Sequence, residues 1–210
     1  MRRALPLLVP LVLAACETPR VAINPRADFN KIGRVAVVTF SGRQGDLAAD
    51  MLTQSLLARG ADVVERQQLN ALLNERKLAR AGVLDAASIK QIGKILGVDA
   101  LFVGNVAQDN ESQTYVVTNS RHNNRTLVTP VAGRNLVPEG SLPGSPHSQV
   151  VSTEARAALL ARMVDARTGS ILWSASMASV DFDVSSAMAT ICDDFVDSLG
   201  PVWPAVAKKR

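Results

Sequence analysis

The sequence predicts an α/β (α+β) sandwich, in which a mixed sheet of about five strands is flanked by helices. Short β-branched apolar runs, such as residues 34–40 (RVAVVTF), have the composition of buried strands. Between them lie segments whose apolar residues recur at three- and four-residue spacing, which is typical of amphipathic helices. Turn-forming residues separate these segments. Along a predicted domain of residues 33–200, the order is β-α-β-α-α-β-insertion-β-β-α.

The first strand and helix are predicted within residues 34–59. The strand ends in a tight polar loop, residues 41–45. We expect Asp46 to be the N-cap of a helix that runs to Arg59, with Gly60 as its C-cap. The inner stripe of this helix is predicted to be Leu47, Ala48, Met51, Leu52 and Leu56.

Residues 62–106 are predicted to form a strand, two helices and a further strand. The short strand contains Val63 and Val64. The first helix has an apolar face of Leu69, Leu72, Leu73 and Leu78. The second is capped by Asp85 and stopped by Gly97. Its apolar line is Ile89, Ile92 and Leu96, and the next strand spans residues 98–106.

The last part of the domain is predicted to be a β-hairpin and a closing helix. Residues 157–175 contain two strands joined by the turn 165–169, whose composition suits a short loop with a bulge. The helix spans residues 185–199, and residues 201–210 form a C-terminal tail. Its inward residues are predicted to be Ala189, Cys192, Phe195, Val196 and Leu199. Cys192 is therefore expected to be a buried, inert thiol.

The amino-acid sequences of two segments resemble those of the CsgG family. Residues 64–67 (VERQ), Leu69 and residues 72–77 (LLNERK) carry the first part of the resemblance, and residues 96–106 (LGVDALFVGNV) carry the second. It extends over about residues 35–106 and 157–199. Members of this family are bacterial outer-membrane lipoproteins that act in curli assembly and transport, and they share a fold with LpoB and the N-terminal domain of TolB. The resemblance implies the same fold and a related role here.

The N-terminus predicts export and lipid anchoring. Residues 1–15 begin with positive charge, continue as an apolar run that prolines interrupt, and end in small residues, as in a signal peptide. The sequence Leu13-Ala14-Ala15-Cys16 resembles a bacterial lipobox. That resemblance implies cleavage between Ala15 and Cys16 and an N-acyl diacylglyceryl lipid on Cys16. Resemblance to enterobacterial lipoproteins implies that Glu17 directs sorting to the outer membrane. Residues 16–32 are assigned to the lipid anchor and a tether.

Residues 109–149 form a polar insertion. Tyr115 and Val117 are expected to belong to a strand that pairs with a strand running from Val151 to Met163, which would extend the sheet as a hairpin. The family's curli exporter inserts such hairpins into the membrane and narrows its channel with a long, aromatic-bearing loop after the first strand. Here that loop is residues 41–45, without an aromatic, and the site of the second hairpin is only residues 180–184.

Composition and motifs exclude several functional classes. The formal charge of +4 falls to +2 once Arg2 and Arg3 leave with the signal peptide, which is too weak for a nucleic-acid binder. Both histidines, His122 and His147, lie in the polar insertion without metal-ligand spacing. No phosphate loop or nucleophile elbow is present. We therefore expect no enzyme activity, no catalytic or metal residues, no cofactor and no small-molecule substrate.

The expected function is that of a periplasm-facing outer-membrane lipoprotein that helps to assemble or transport a secreted or cell-surface product through protein–protein contacts. Family members form rings, so a homo-oligomeric ring is also implied. One alternative is an LpoB-like activator of a peptidoglycan synthase. The predicted tether of about 13 residues spans at most about 45 Å, which is short for that role. The other alternative is a true oligomeric secretion channel.

Overall fold

The computed structural model describes residues 18–65, 69, 86–120, 125–131 and 148–207. Its strands and helices, in chain order, are β1 (Arg20–Ile23), β2 (Arg34–Val37), α1 (Gly45–Ala58), β3 (Asp62–Val63), α2 (Ala86–Leu96), β4 (Ala100–Asn110), β5 (Thr114–Ser120), β6 (Arg125–Val131), β7 (Ser148–Ser152), β8 (Ala155–Asp165), β9 (Ile171–Asp181) and α3 (Val184–Leu199). Two short 3-10 turns, Phe29–Lys31 and Pro204–Val206, complete the described part.

The main sheet confirms the predicted α/β sandwich. Among the described residues it has six strands in the order β1-β9-β8-β4-β2-β3, where about five were expected. β2 pairs in parallel with β3 and β4, and the remaining neighbours are antiparallel. The insertion forms a second, three-stranded sheet in the order β6-β5-β7, and does not add to the first as predicted.

The additional strand lies in the segment that was assigned to the tether. β1 pairs with β9 from Arg20 opposite Ser176 to Ile23 opposite Trp173. The assignment of residues 16–32 to a tether is therefore corrected for residues 20–32. This segment belongs to the domain, since it begins with β1 and its last residue, Ile32, is buried. Pro19 and Pro25 flank this edge strand, where a missing backbone N–H is tolerated.

Helices α1 and α3 pack on one face of the sheet. Ala48, Leu52 and Leu56 of the predicted α1 stripe are completely buried. The helix begins two residues earlier than expected, at Gly45, and its N-cap is Gln44. Asp46 is therefore not the N-cap, because it lies in the first turn of the helix and its Oδ1 accepts a hydrogen bond from Thr39 Oγ1 at 3.0 Å.

An aromatic cluster fills the centre of this layer. The ring centroids of Phe102 and Trp173 are 6.1 Å apart, and those of Trp173 and Phe195 are 5.7 Å apart. Trp203 approaches Phe102 at 6.2 Å. Because β4, β9, α3 and the C-terminal segment each contribute one ring, burial of these rings joins four parts of the chain.

The opposite face of the sheet is covered near β2 and β4 by α2. Ile89 and Ile92 are buried there, as predicted, against Ala36 and Leu101. Leu69 belongs to the same cluster and is completely buried. The rest of the predicted leucine-rich helix, including Leu72, Leu73 and Leu78, lies outside the described residues, as does Asp85.

The hairpin of β8 and β9 has the predicted turn chemistry. Asp165 Oδ1 accepts hydrogen bonds from the backbone N–H groups of Arg167 and Thr168, both at 2.7 Å. Gly169 has a φ of 79°, a conformation that glycine adopts without strain. The strand register shifts between Met163 and Val164, which confirms the bulge.

Cys192 is completely buried on α3, and its Sγ lies 3.7 Å from the carbonyl oxygen of Ala48. Burial, and to a smaller extent the charge of Asp193, raises the pKa of the thiol to about 12. The predicted burial of Cys192 is confirmed, and since the thiolate is the reactive form of cysteine, a raised pKa is consistent with the prediction of an inert thiol.

The C-terminal segment is part of the domain. Residues 201–210 were assigned to a tail, yet Trp203 is completely buried and its Nε1 donates a hydrogen bond to the carbonyl oxygen of Ile32 at 2.9 Å. The tail assignment is therefore corrected for residues 201–207. A tryptophan needs both an apolar site and a hydrogen-bond acceptor, and the segment around Ile32 supplies them.

Substitution of Trp203 tests this correction. We expect Trp203→Ala to lower the free energy of unfolding by about 3–5 kcal/mol because it empties a buried aromatic site. Leu57→Ala is the control, since Leu57 is 53% exposed, and it should cost much less. Urea unfolding measures both values. Equal costs for the two variants would show that residues 201–207 do not stabilise the domain.

Candidate functional site

The insertion projects from one end of the main sheet. β4 and β8 are paired up to Asn110 opposite Arg156, and the chain then continues into β5 and out of β7. We call residues 111–154 the arm. Tyr115 lies opposite Val151, as predicted, and β6 adds to the other side of β5. The predicted continuous strand from Val151 to Met163 is corrected, because the chain leaves β7 at Ser152 and enters β8 of the main sheet at Ala155. The rest of the insertion, including His122 and His147, lies outside the described residues.

Polar contacts pair the two chain segments at the base of the arm, next to the main sheet. The backbone N–H of Thr153 donates to the carbonyl oxygen of Gln113 at 2.7 Å, and the N–H of Gln113 donates to Thr153 Oγ1 at 2.9 Å. The hydroxyls of Thr114 and Ser152 are 3.1 Å apart one step further out. The segment that leads from β4 to β5 and the segment that leads from β7 to β8 are thus hydrogen-bonded to each other where the arm begins.

The loop of residues 41–45, which we call the clamp loop, holds the same base from the side. Arg43 Nη2 donates to the carbonyl oxygen of Asp109 at 2.6 Å, and Arg43 Nε lies 2.7 Å from Asp109 Oδ2. Gln44 Nε2 donates to Glu111 Oε1 at 2.9 Å. Since the Asp109 side chain is only 16% exposed, the ion pair with Arg43 is partly shielded from solvent. The sequence identified this loop only as short and polar.

Glycine fixes the path of the clamp loop. Gly42 has a φ of 98°, and a Cβ there would lie 2.6 Å from the carbonyl oxygen of Val106. A Cβ on Gly45 would lie 1.8 Å from the carbonyl oxygen of Phe40. The close approach allows the N–H of Val106 to donate to the carbonyl oxygen of Ser41 at 2.8 Å. The loop is therefore packed against β4.

The corner between β9 and α3 lies at the same end of the sheet and exposes an aromatic side chain. Phe182 is 73% exposed. Asp181 Oδ1 accepts from the N–H of Phe182 at 2.7 Å, and Asp183 Oδ1 caps α3 by accepting from the N–H of Ser186 at 2.8 Å. Sequence analysis treated residues 180–184 only as the place of a second hairpin. The position of Phe182 between Asp181 and Asp183 was the feature of the sequence that could have predicted an exposed ring.

The N-terminal segment also enters the domain from this end. β1 runs antiparallel to β9, so the chain before Arg20 comes from the side where β9 ends at Asp181. The predicted signal peptide, its cleavage site at Ala15 and Cys16, and the sorting residue Glu17 lie outside the described residues. Covalent geometry nonetheless limits the Cα atom of Cys16 to about 14 Å from that of Arg20.

No metal site or membrane-spanning helix is found in the described part of the chain. Within those residues, no group of His, Cys, Asp and Glu is arranged to hold a metal ion. None of the helices that the structure describes has the length and apolar composition required to cross a membrane. The acids of α3 make contacts with α1, since Asp193 accepts from Ser55 Oγ at 2.7 Å and Asp197 pairs with Arg59.

Comparison with known proteins gives one family. The family model described as "Curli production assembly/transport component CsgG" matches residues 18–193. No curated protein matches the chain.

Solved structures with similar folds share little sequence with this chain. The PelC dodecamer from Paraburkholderia phytofirmans has 15% identity and a TM-score of 0.49, covering 92% of this chain and 100% of that one. Lipoprotein GNA1162 from Neisseria meningitidis has 16% identity and a TM-score of 0.47, with coverages of 80% and 99%. The LpoB C-terminal domain from Salmonella enterica has 14% identity and a TM-score of 0.40, with coverages of 70% and 82%.

Two glycine substitutions test how the clamp loop is held. Gly97 has a φ of 63°, and no atom lies within 4 Å of the position that a Cβ would take there. Gly97→Ala therefore adds only the left-handed backbone penalty of about 1–2 kcal/mol. We expect Gly42→Ala to cost more, because its methyl group must also displace Val106. Urea unfolding measures the costs, and hydrogen exchange at the Val106 amide reports the local opening. Equal costs and unchanged exchange would contradict tight packing of the loop.

Proposed function

Because the chain belongs to the CsgG family, whose model matches residues 18–193, we propose that it is a non-enzymatic component in the assembly or transport of a secreted or cell-surface product. It acts through contacts with other proteins. The family match carries this proposal, and the projecting arm supports it by offering a surface outside the packed domain. A homo-oligomeric ring is one form that these contacts can take.

The second part of the proposal is a lipid anchor in the outer membrane. Cys16 carries the N-acyl diacylglyceryl group, and Glu17 directs the protein to the outer membrane, with the domain facing the periplasm. Several acyl chains together hold a soluble domain stably on a bilayer, whereas one chain binds only marginally. With β1 beginning at Arg20, the lead between lipid and domain is only Glu17, Thr18 and Pro19.

This short lead supports one orientation of the domain. The chain enters β1 from the end of the sheet where the arm begins and where Phe182 is exposed. A lead of about 14 Å keeps that end close to the lipid surface. An exposed apolar ring gains free energy by entering the boundary between headgroups and acyl chains, which suits Phe182. We therefore propose that the arm end faces the membrane and that the opposite end of the sheet faces the periplasm.

Replacement of Cys16 tests the anchor. We expect Cys16→Ala to abolish palmitate labelling, to block normal maturation and to remove the protein from the outer-membrane fraction, since no thiol remains for the diacylglyceryl group. Cys192→Ala is the matched control and should label and fractionate normally, because its thiol is buried. A Cys16→Ala protein that is still labelled and still fractionates with the outer membrane would contradict the proposal.

Crosslinking from the arm tests the proposed mode of action. A photo-reactive residue at Val151, which is 46% exposed on the arm, is expected to trap protein partners in cells. The same residue at Leu57, which is 53% exposed on α1, is the control. Mass spectrometry identifies the adducts, and an excess from Val151 of a secreted subunit, its chaperone or a second copy of this chain supports the proposal.

Other outcomes of the crosslinking would favour the alternatives. A peptidoglycan synthase as the main adduct would favour the LpoB-like activator. Equal labelling of partners from Val151 and Leu57 would contradict the proposal that the arm binds them. Ion conductance of purified oligomers in planar bilayers would favour a secretion channel, and its absence from stable oligomers would exclude one.

A further inference from the structure

A basic cleft lies at the end of the sheet opposite the arm. Its volume is about 740 Å³, and its walls come from the β1–β2 connection, the residues before β4, the β8–β9 turn and α2. Ala27, Ile32 and Leu172 contribute apolar surface. Five lysine or arginine residues line the cleft, against three aspartates. Arg167 lies in the predicted hairpin turn 165–169, and none of the five cations was assigned a binding role from the sequence.

Four of the cations come together from three separate segments. Lys90 and Lys94 are one turn apart on α2, so they share a helix face. Arg26 comes from the β1–β2 connection, and Arg167 from the β8–β9 turn. In the part of the chain that the structure describes, no ion pair or hydrogen bond involves the ammonium or guanidinium group of any of the four. Among the described residues, none of these four charged groups is neutralised by an ion pair, so their positive charges remain available in the cleft.

The aspartates of the cleft are engaged in fixing the backbone. Asp99 Oδ2 accepts from the N–H groups of Gly33 and Arg34 at 2.9 and 3.0 Å. Asp165 accepts from two N–H groups of its own turn at 2.7 Å. Asp28 pairs with Lys31, the fifth cation, at 3.0 Å. Each acid thus has its own partners, and the balance of charge in the cleft remains positive.

We propose that this cleft binds an acidic segment of a protein partner. Cationic groups around an apolar floor complement a chain that carries both carboxylates and apolar side chains. The cleft's volume is within the range of sites that enclose a ligand larger than a single inorganic anion. The choice of a protein over an anionic membrane rests on the proposed function, in which the arm end faces the bilayer and this end faces the periplasm.

The test uses the purified full chain in detergent and a fluorescent peptide in which Asp alternates with Leu. We expect the anisotropy of the peptide to rise on binding and the affinity to fall as salt is added. A peptide with Asn in place of each Asp should not bind. The double variant Lys90→Gln and Lys94→Gln should weaken binding by about five-fold or more, since two charges are removed. Arg156→Gln is the control, as Arg156 is exposed near the arm and not in the cleft.

Three results would overturn the proposal. The first is binding of the acidic peptide that the double variant does not weaken, and the second is equal binding of the Asn peptide. The third is preference for another anion, seen as displacement of the peptide by equimolar inorganic phosphate or as binding to phosphatidylglycerol vesicles that the double variant abolishes. Peptide binding is measured in solution and does not depend on the lipid anchor or on the arm. A negative result for the cleft therefore leaves the proposals for the anchor and the arm unaffected, and negative results for those two proposals leave the peptide-binding result unaffected.

Discussion

The pairing of β4 with β8 is the interaction on which the rest of the structure depends. It runs from Ala100 opposite Asp165 to Asn110 opposite Arg156, with one irregularity near Val106. On one side β4 carries the parallel strands, and on the other β8 carries the hairpin partner β9. Beyond Asn110 the same two segments lead into the arm. One antiparallel ladder thus connects the packed core to the projecting sheet.

This ladder also separates two chemically different ends. At the arm end, the clamp loop, the exposed ring of Phe182 and the start of β1 lie together. At the other end, Lys90 and Lys94 of α2 line a cleft together with Arg26 and Arg167, and aspartate side chains hold the neighbouring backbone. A domain of this size can therefore present one surface to a membrane and another to a soluble partner.

Local spacing and turn chemistry predicted the elements that carry their own pattern, such as the α1 stripe and the hairpin turn at Asp165. β1 was missed because four residues between prolines form a strand only when β9 provides the edge. Trp203 was assigned to a tail because its hydrogen-bond acceptor at Ile32 is distant in sequence. The clamp loop depends on the contact of Arg43 with Asp109, and the basic cleft on three segments that meet only after folding. Neither the clamp loop contact nor the basic cleft as a whole produces a regular residue spacing, so sequence periodicity does not predict them.

The long-range partners of the N-terminal segment have a consequence for biogenesis. β1 pairs with β9, and the carbonyl oxygen of Ile32 accepts its hydrogen bond from Trp203. Contacts between such distant residues form late, since the intervening chain must first be ordered. A chain that emerges N-terminus first therefore cannot complete this domain until Trp203 is available. The order of the elements along the chain thus makes closure of the N-terminal edge depend on the C-terminal segment.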